Sequence, residues 1–391
     1  MSRACSDWLK SYMQYTSISE APDAFHFWVG MSTIVGALQR KVWLPMGHFS
    51  WTPNLYVILV APPGIVSKTT TMDLGMDLLR EVPGTHFGPD VVTWQQFISA
   101  MANAKSAVMV GPELFLHCSM TIDSGELGTF LDPTDKRMID VMVALWDARS
   151  KPFKKETKTQ GSDAIVNPWL NMIACTTPDW ISDNFNKYFI GGGFVSRTIF
   201  VYAEEKRNLI AYPFLQVKPE THDKLRQDLI SDLKAMHEMA GPFTLEPEAV
   251  EWGIEWYAKH YEGIKGKGTS TTFDARKQTH LHKIATALSA SRRDTMVITL
   301  DDLMAAERLV SAVEIDMHNV LSRIGQTEQT RATSALIKIV RLRKKIPKQQ
   351  LFQLVFREMS FGDFENALRS AVEAGEIKAV VEGTRVVLMA G

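Results

Sequence analysis

Cysteine is scarce and scattered: Cys5, Cys118 and Cys175 are the only three in 391 residues. So few, so far apart, build neither a disulfide framework nor a zinc cluster, and they point to a reducing compartment. No metal-ligand spacing is present. Long apolar runs are missing as well. The opening MSRACSDWLKSY lacks the hydrophobic core of a secretion signal, and no stretch approaches the roughly 20 residues that span a bilayer. A soluble, cytoplasmic chain with no membrane partner is the expectation. Neither charge dominates, since 43 Lys+Arg face 44 Asp+Glu, so any attraction for nucleic acid has to be local. Internal repeats and low-complexity linkers are also absent.

What is present is enough apolar material, 45% of the chain, for a large core, and a length that suits about two or three domains. Residues 1–45 read as an N-terminal helical segment: Trp8, Leu9, Tyr12 and Met13 fall at helical spacing, and a second run goes from Ala24 to Gln39. Residues 46–214 alternate apolar runs with helical patterns, the texture of a three-layer α/β domain. Strands are expected at 54–60, 114–122, 169–176 and 197–202, and helices at 69–80, 93–104 and 136–146. Residues 215–328 are helix after helix, a helical subdomain. Residues 329–391 predict three helices and a two-stranded hairpin, the pattern of a winged helix.

The chemistry starts at Ala61-Pro-Pro63-Gly64-Ile-Val-Ser67-Lys68-Thr69-Thr70. A phosphate loop needs backbone N–H groups turned inward, a lysine for the β/γ charge and a hydroxyl for magnesium. Gly64, Lys68 and Thr69 can supply them, with Pro63, Ser67 and Thr70 completing the cradle, between a buried strand and a helix whose N-terminus faces the loop. ATP and Mg2+ are the expected cofactors. The consensus is broken at both outer glycines, which are Pro62 and Ser67 here.

Hydrolysis also needs carboxylates at the end of a neighbouring strand. The run Leu114 to Glu126 ends in two acids; Glu126 is assigned as the water-activating base and Asp123 as the magnesium-side acid, against the alternative of two solvated loop acids. The strand ending Cys175-Thr176-Thr177-Pro178 offers a hydroxyl, Thr176 or Thr177, for the γ-phosphate or the attacking water, unless it only caps a turn. After three glycines, Arg197 opens an apolar strand, where it could reach a nucleotide across a subunit interface or serve as a structural ion-pair partner.

Taken in order, SEAPDAFHFWVG, WTPNLYVILVAPPGIVSKTTT, DSGELGTFL, ALWDARSKPFKKETK, NPWLNMIACTTPDW and GGGFVSRTIFVYAEE resemble a family of phage- and mobile-element-encoded, AAA+-like ATPases related to replicative helicases. The likeness covers roughly residues 18–315. It implies an AAA+-like P-loop core, tolerance of Ser67, Glu126 as the Walker B-type acid, Thr176 or Thr177 as first sensor and Arg197 as a finger acting in trans. The segment Asp274–Leu288, followed by Val297–Ala306, is similar to the helical lid of helicases of the minichromosome maintenance class, which makes Arg276 a candidate second sensor.

Two basic stretches stand out locally. Lys151, Lys154, Lys155 and Lys158 lie where ring helicases insert a hairpin into the central pore, or form a solvated surface turn. From Lys338 to Lys348 the cations Arg341, Arg343, Lys344 and Lys345 occur without an acid, a pattern suited to phosphate contacts. The expectation is a hexameric, ATP-hydrolysing DNA helicase or translocase in phage or mobile-element replication. It would hold single-stranded DNA in its pore and duplex through the winged helix, alongside other replication proteins. The alternative is a nucleotide-gated loader or scaffold that does not unwind.

Overall fold

Tyr56–Val60 is apolar and buried at every position, as a strand covered on both faces requires. The computed structural model describes residues 3–157, 161–185, 187–266, 273–321, 328–357, 359–382 and 385–391. In it this strand, β1, is followed in chain order by β2 (Lys105–Val110), β3 (Glu113–Ser124), the hairpin of β4 (Phe153–Thr157) and β5 (Gly161–Ile165), β6 (Pro168–Thr176) and β7 (Thr198–Tyr202). Five of them form one sheet in the order β2-β3-β6-β1-β7. Every neighbouring pair is parallel except β2 with β3. Strand β2 was not foreseen. Its side chains alternate between exposed and half-buried, so it reads as a solvated edge, and it turns into β3 through Gly111 at φ 58°.

The longer helices of this unit are α1 (Trp8–Tyr15), α2 (Asp23–Leu38), α3 (Lys68–Arg80), α4 (Trp94–Asn103), α5 (Lys136–Trp146), α6 (Pro219–His237), α7 (Pro247–Gly266), α8 (Lys277–Arg292) and α9 (Leu300–Leu321). They cover both faces of the sheet. On one face the Tyr56 hydroxyl donates to the Met142 carbonyl in α5 at 2.7 Å. On the other, the Asn171 amide donates to the Ser32 carbonyl and hydroxyl in α2. Asn171 precedes Met172, the partner of Tyr56, so the strand pleat sends the two side chains to opposite faces. This is a mixed α/β fold with a helix–sheet–helix section. Among the described residues, no helix is long and apolar enough to cross a membrane.

The three divisions expected at 1–45, 46–214 and 215–328 do not hold as separate bodies, because Met1–Val320 is one compact unit. The N-terminal segment is a layer of the core. Helix α2 buries nearly its whole surface, as a helix apolar all round must. It lies so close to α3 that a Cβ on Gly75 would come within 2.4 Å of Val29 Cγ1 and 2.6 Å of Thr33 Oγ1. Asp232 in α6 accepts the backbone N–H groups of Ala4 and Cys5, and the Trp8 indole donates to the Leu229 carbonyl. The supposed lid is equally integrated: every residue of α8 from His280 to Ser291 is buried. Its Lys283 ammonium donates to the side chain of Asn54, just ahead of β1, at 2.6 Å.

The second unit, Leu321–Gly391, begins ahead of the expected boundary at 329. It comprises α10 (Glu328–Arg343), β8 (Lys345–Pro347), α11 (Lys348–Val355), α12 (Phe361–Glu373), β9 (Ile377–Glu382) and β10 (Arg385–Ala390). The three strands pair antiparallel in the order β8-β10-β9. Leu336, Val340, Leu351, Phe364, Leu368 and Leu388 form its core. Strand β8 is the unforeseen element; Lys344 at φ 60° ends α10 and opens it.

Two outcomes test this packing. Gly75→Val forces a branched side chain into the α2–α3 crossing and should lower the unfolding free energy by about 1–3 kcal/mol in urea titration. Burial pushes the imidazoles of His26, His117 and His280 down to about 4. Each histidine is therefore more basic in the unfolded chain. The stability from keeping it neutral is complete above pH ~6.5 and is lost as pH falls toward 4, at up to about 3 kcal/mol per group. These histidines should make urea midpoints fall steeply between pH 6 and 4.

Candidate functional site

Strand β1 delivers the chain to the loop Ala61–Ser67, which is fastened at its start by Ala61 N–H to the Thr176 carbonyl at 3.3 Å and inside by buried Val66. Two residues take left-handed backbone, Gly64 at φ 71° and Ser67 at φ 48°, ψ 47°. Ser67 adopts the conformation that a glycine would take without strain, at a cost of roughly 1–2 kcal/mol. Its side chain makes no capping bond to α3, so no residue of the loop caps the first-turn N–H groups of that helix. The half-buried Lys68 ammonium donates to the Ala61 carbonyl at 2.9 Å and to the Pro62 carbonyl at 3.4 Å. Burial pulls its pKa down, and nearby Cys175 and Glu126 oppose that shift.

Other expected residues gather around Lys68. Gly125 lies against Thr69, since a Cβ there would meet Thr69 Cγ2 at 3.2 Å and Oγ1 at 3.7 Å. Glu126 follows, exposed, at the start of the short helix Leu127–Phe130. Thr176 ends β6 beside the loop. Cys175 belongs to the same cluster and was not foreseen; burial pushes its thiol up to about 12, so it is neutral at pH 7. The Thr69 hydroxyl, exposed in the first turn of α3, lies near that thiol and works against the upward shift. A loop of left-handed residues, an open helix end and a cation suit the phosphates of ATP, and Thr69 suits a magnesium ion bound to them.

Two residues are used otherwise. Thr177 is a helix cap: its hydroxyl accepts the Trp180 N–H at 3.2 Å. Asp123, expected on the magnesium side, pairs with Arg80 in the last turn of α3, about 16 Å along the helix from Thr69. Asp73, one turn after Thr69, shares its neighbourhood; burial raises its pKa, and Asp77 and Asp123 raise it further. Among the described residues, no group of three or more His, Cys, Asp or Glu side chains is placed to hold a metal ion.

Arg197 and Arg276 lie at the other edge of the sheet. Arg197 precedes β7, whose Thr198 pairs with Tyr56 at the start of β1, whereas Lys68 bonds to Ala61 past its end. The length of β1, about 16 Å, separates them. The expected outward reach of Arg197 is not found. It is 6% exposed, its guanidinium is bonded to Asp147 at 3.1–3.3 Å and to the Gly193 carbonyl at 3.1 Å, and a Cβ on Gly193 would strike it at 2.7 Å. The glycines before it make room for the arginine itself. Arg276, with 35% of its side chain exposed, stands 3.6 Å from the same carboxylate, and Arg149 stands 3.3 Å from it. Asp147, Arg149 and Arg276 border a cavity of ≈ 530 Å³ that Trp51, Trp146, Thr279 and Lys283 also line.

The basic stretches also changed character. Lys154 is exposed on β4, and the backbone of Lys155 faces Asp163 in the β4–β5 register; Lys158 lies outside the described residues. In the second unit the cations have acidic partners from elsewhere in the fold: Arg341 with Glu376, Lys345 with Glu382 and Lys348 with Glu365. Arg343 and Lys344 are exposed.

Asp147 pairs with three guanidiniums, and Asp147→Ala removes the carboxylate that faces buried Arg197. A loss of about 3–5 kcal/mol in unfolding free energy is expected in chemical denaturation. Compared with known proteins, the sequence is matched by no family model and by no curated protein.

Proposed function

We propose that this protein is an oligomeric, AAA+-like P-loop ATPase that acts on DNA. The observation that carries this reading is the gathering of Lys68, Thr69, Glu126 and Thr176 at one edge of the sheet around a loop with left-handed Gly64 and Ser67. Strand β6 separates the loop strand from the acid strand. Two strand spacings, about 10 Å, give room for a terminal phosphate and a water between Lys68 and Glu126.

On this reading the first-turn N–H groups of α3 and the Lys68 ammonium bind the β- and γ-phosphates. Thr69 would help hold a magnesium ion, which would supply positive charge against the phosphates. Glu126 takes the proton of the attacking water, and Thr176 orients that water or the γ-phosphate. The neutral Cys175 thiol adds no competing anion. Arg276 is too far from Lys68 to serve the nucleotide of its own chain, so it is assigned to the nucleotide of an adjacent copy, with Asp147 and Arg197 as positioning residues behind it. DNA contacts are assigned to Lys154 on the hairpin and to Arg343 and Lys344. The second unit, three helices with a three-stranded sheet, is read as a winged helix.

The pairing of Asp123 with Arg80 favours a second reading, a nucleotide-gated loader or scaffold, because it takes up the acid expected on the magnesium side. Forked-duplex unwinding separates the two.

Lys68→Ala should abolish ATP binding, while Glu126→Gln should retain binding and lose about 10²-fold or more in hydrolysis. Mixing Lys68→Ala with Arg276→Ala chains should recover part of the turnover that each has lost, because one supplies the loop and the other the arginine. Wild-type protein that binds no nucleotide overturns the ATPase reading. Mixtures no more active than their components overturn the role of Arg276 in trans.

A further inference from the structure

Asp147 is the only acid among the described residues that line the ≈ 530 Å³ cavity, and it does not offset the positive charge there. Its oxygens are taken up by buried Arg197, in hydrogen bonds of 3.1–3.3 Å. Arg149 reaches it through one nitrogen at 3.3 Å and has 79% of its side chain exposed, and Arg276 stands at 3.6 Å, past hydrogen-bond distance. A fourth guanidinium lies behind Ser150, which also lines the cavity. Arg40 is 2% exposed and donates to the Ser150 hydroxyl at 3.5 Å, while its Nε and Nη1 have no partner among the described residues. Burial pulls its pKa down to about 10, so it is charged at pH 7. A buried cation without a counter-ion is costly, and an anion in the cavity offsets part of that cost. Lys283 already donates to Asn54 and to the Trp146 carbonyl, so the surplus charge rests on the arginines.

One wall of the cavity is aromatic. A short hairpin ahead of β1 pairs Leu44 with Trp51 and Pro45 with Ser50, and the Met46 N–H closes it on the Phe49 carbonyl at 2.8 Å. Trp51 rests on His282 of α8, with ring centres 4.6 Å apart, and Phe49 leans on Trp51 at 5.4 Å while 55% exposed. We propose that this cavity binds a nucleoside monophosphate, free or as the phosphorylated end of a DNA strand, with its phosphate on Arg149 and Arg276 and its base against Phe49 and Trp51. A phosphate monoester carries nearly two negative charges at pH 7, which matches two guanidiniums better than a carboxylate or an internal phosphodiester does. Guanidiniums pair with phosphate oxygens two at a time, and bases stack on aromatic faces whatever their identity. The volume lies within the roughly 300–1,000 Å³ of small-ligand pockets, more than a bare phosphate fills. Ser50 and Thr279 bring hydroxyls to the same lining for the sugar. This site is at the opposite edge of the sheet from Lys68 and goes beyond the ATPase reading. Arg276 is common to both, so an occupied cavity holds it back from an adjacent copy.

The full-length Lys68→Ala chain keeps the loop out of the measurement. Isothermal titration of it with AMP should show a single site, with adenosine and inorganic phosphate each binding about ten-fold or more less tightly. In the same background Arg149→Glu should weaken AMP binding about ten-fold or more, and Phe49→Ala about five-fold or more. Both side chains are exposed, so the melting temperature should not change. A short oligodeoxynucleotide that displaces AMP only when 5′-phosphorylated identifies a strand end as the source, and one that never displaces it identifies the free nucleotide. No AMP binding, adenosine or phosphate binding as tightly as AMP, or an affinity indifferent to Arg149→Glu and Phe49→Ala overturns the proposal. None of these outcomes bears on hydrolysis at Lys68, so either reading can fail without the other.

Discussion

The Asn54 side chain is the joint on which the larger unit depends. Its amide donates to the carbonyls of Trp146 and Leu170, and its oxygen accepts from the Thr52 hydroxyl and the Lys283 ammonium. One buried side chain thus ties the approach to β1, the strand β6, the end of α5 and the middle of α8. Lys283 lies 4.1 Å from the centre of the Trp146 ring, and burial holds its pKa well below the usual lysine range. A buried cation is tolerated only when its donors are satisfied. Removing Asn54 would therefore strand Lys283 as well as cut the sheet from the helices.

That joint also sets where the two chemical regions can be. It anchors the edge at which β1 begins, and Asp147 with its arginines follows directly from Trp146. The opposite edge, where β1, β3 and β6 end, is left to the loop Ala61–Ser67 and its neighbours. A parallel sheet has two unlike ends, and the strand length keeps the arginines and the lysine of one chain from meeting. Under the proposed function, neutralising phosphate from both sides requires two chains.

The loop helix was legible because its signals are local: a wholly apolar strand, a Pro/Gly turn and Lys-Thr at the helix start. The placement of Glu126 and Thr176 was legible because Thr176 ends a strand and Glu126 follows one by two residues, and strand ends in a parallel sheet face one side. Arg197 and Asp123 were misjudged because their roles depend on partners distant in sequence. Asp147 is fifty residues from Arg197, and Arg80 is 43 from Asp123. The same applies to the basic run near Lys345, whose acids come from α12, the turn after it and β9. Thr177 could be separated from Thr176 only by seeing which hydroxyl caps the next helix. The N-terminal segment seemed detachable because an apolar helix does not announce what covers it.

The closeness of α2 and α3 at Gly75 has a mechanical meaning. Two helices with side chains between them can roll or slide by exchanging rotamers, but backbone lodged against Val29 and Thr33 leaves no such slack. Helix α3 carries Lys68 at its head, and α2 lies along the sheet and against α1 and α6. A tilt of the loop helix therefore moves the N-terminal helices with it, as one stiff lever whose pivot is a missing side chain.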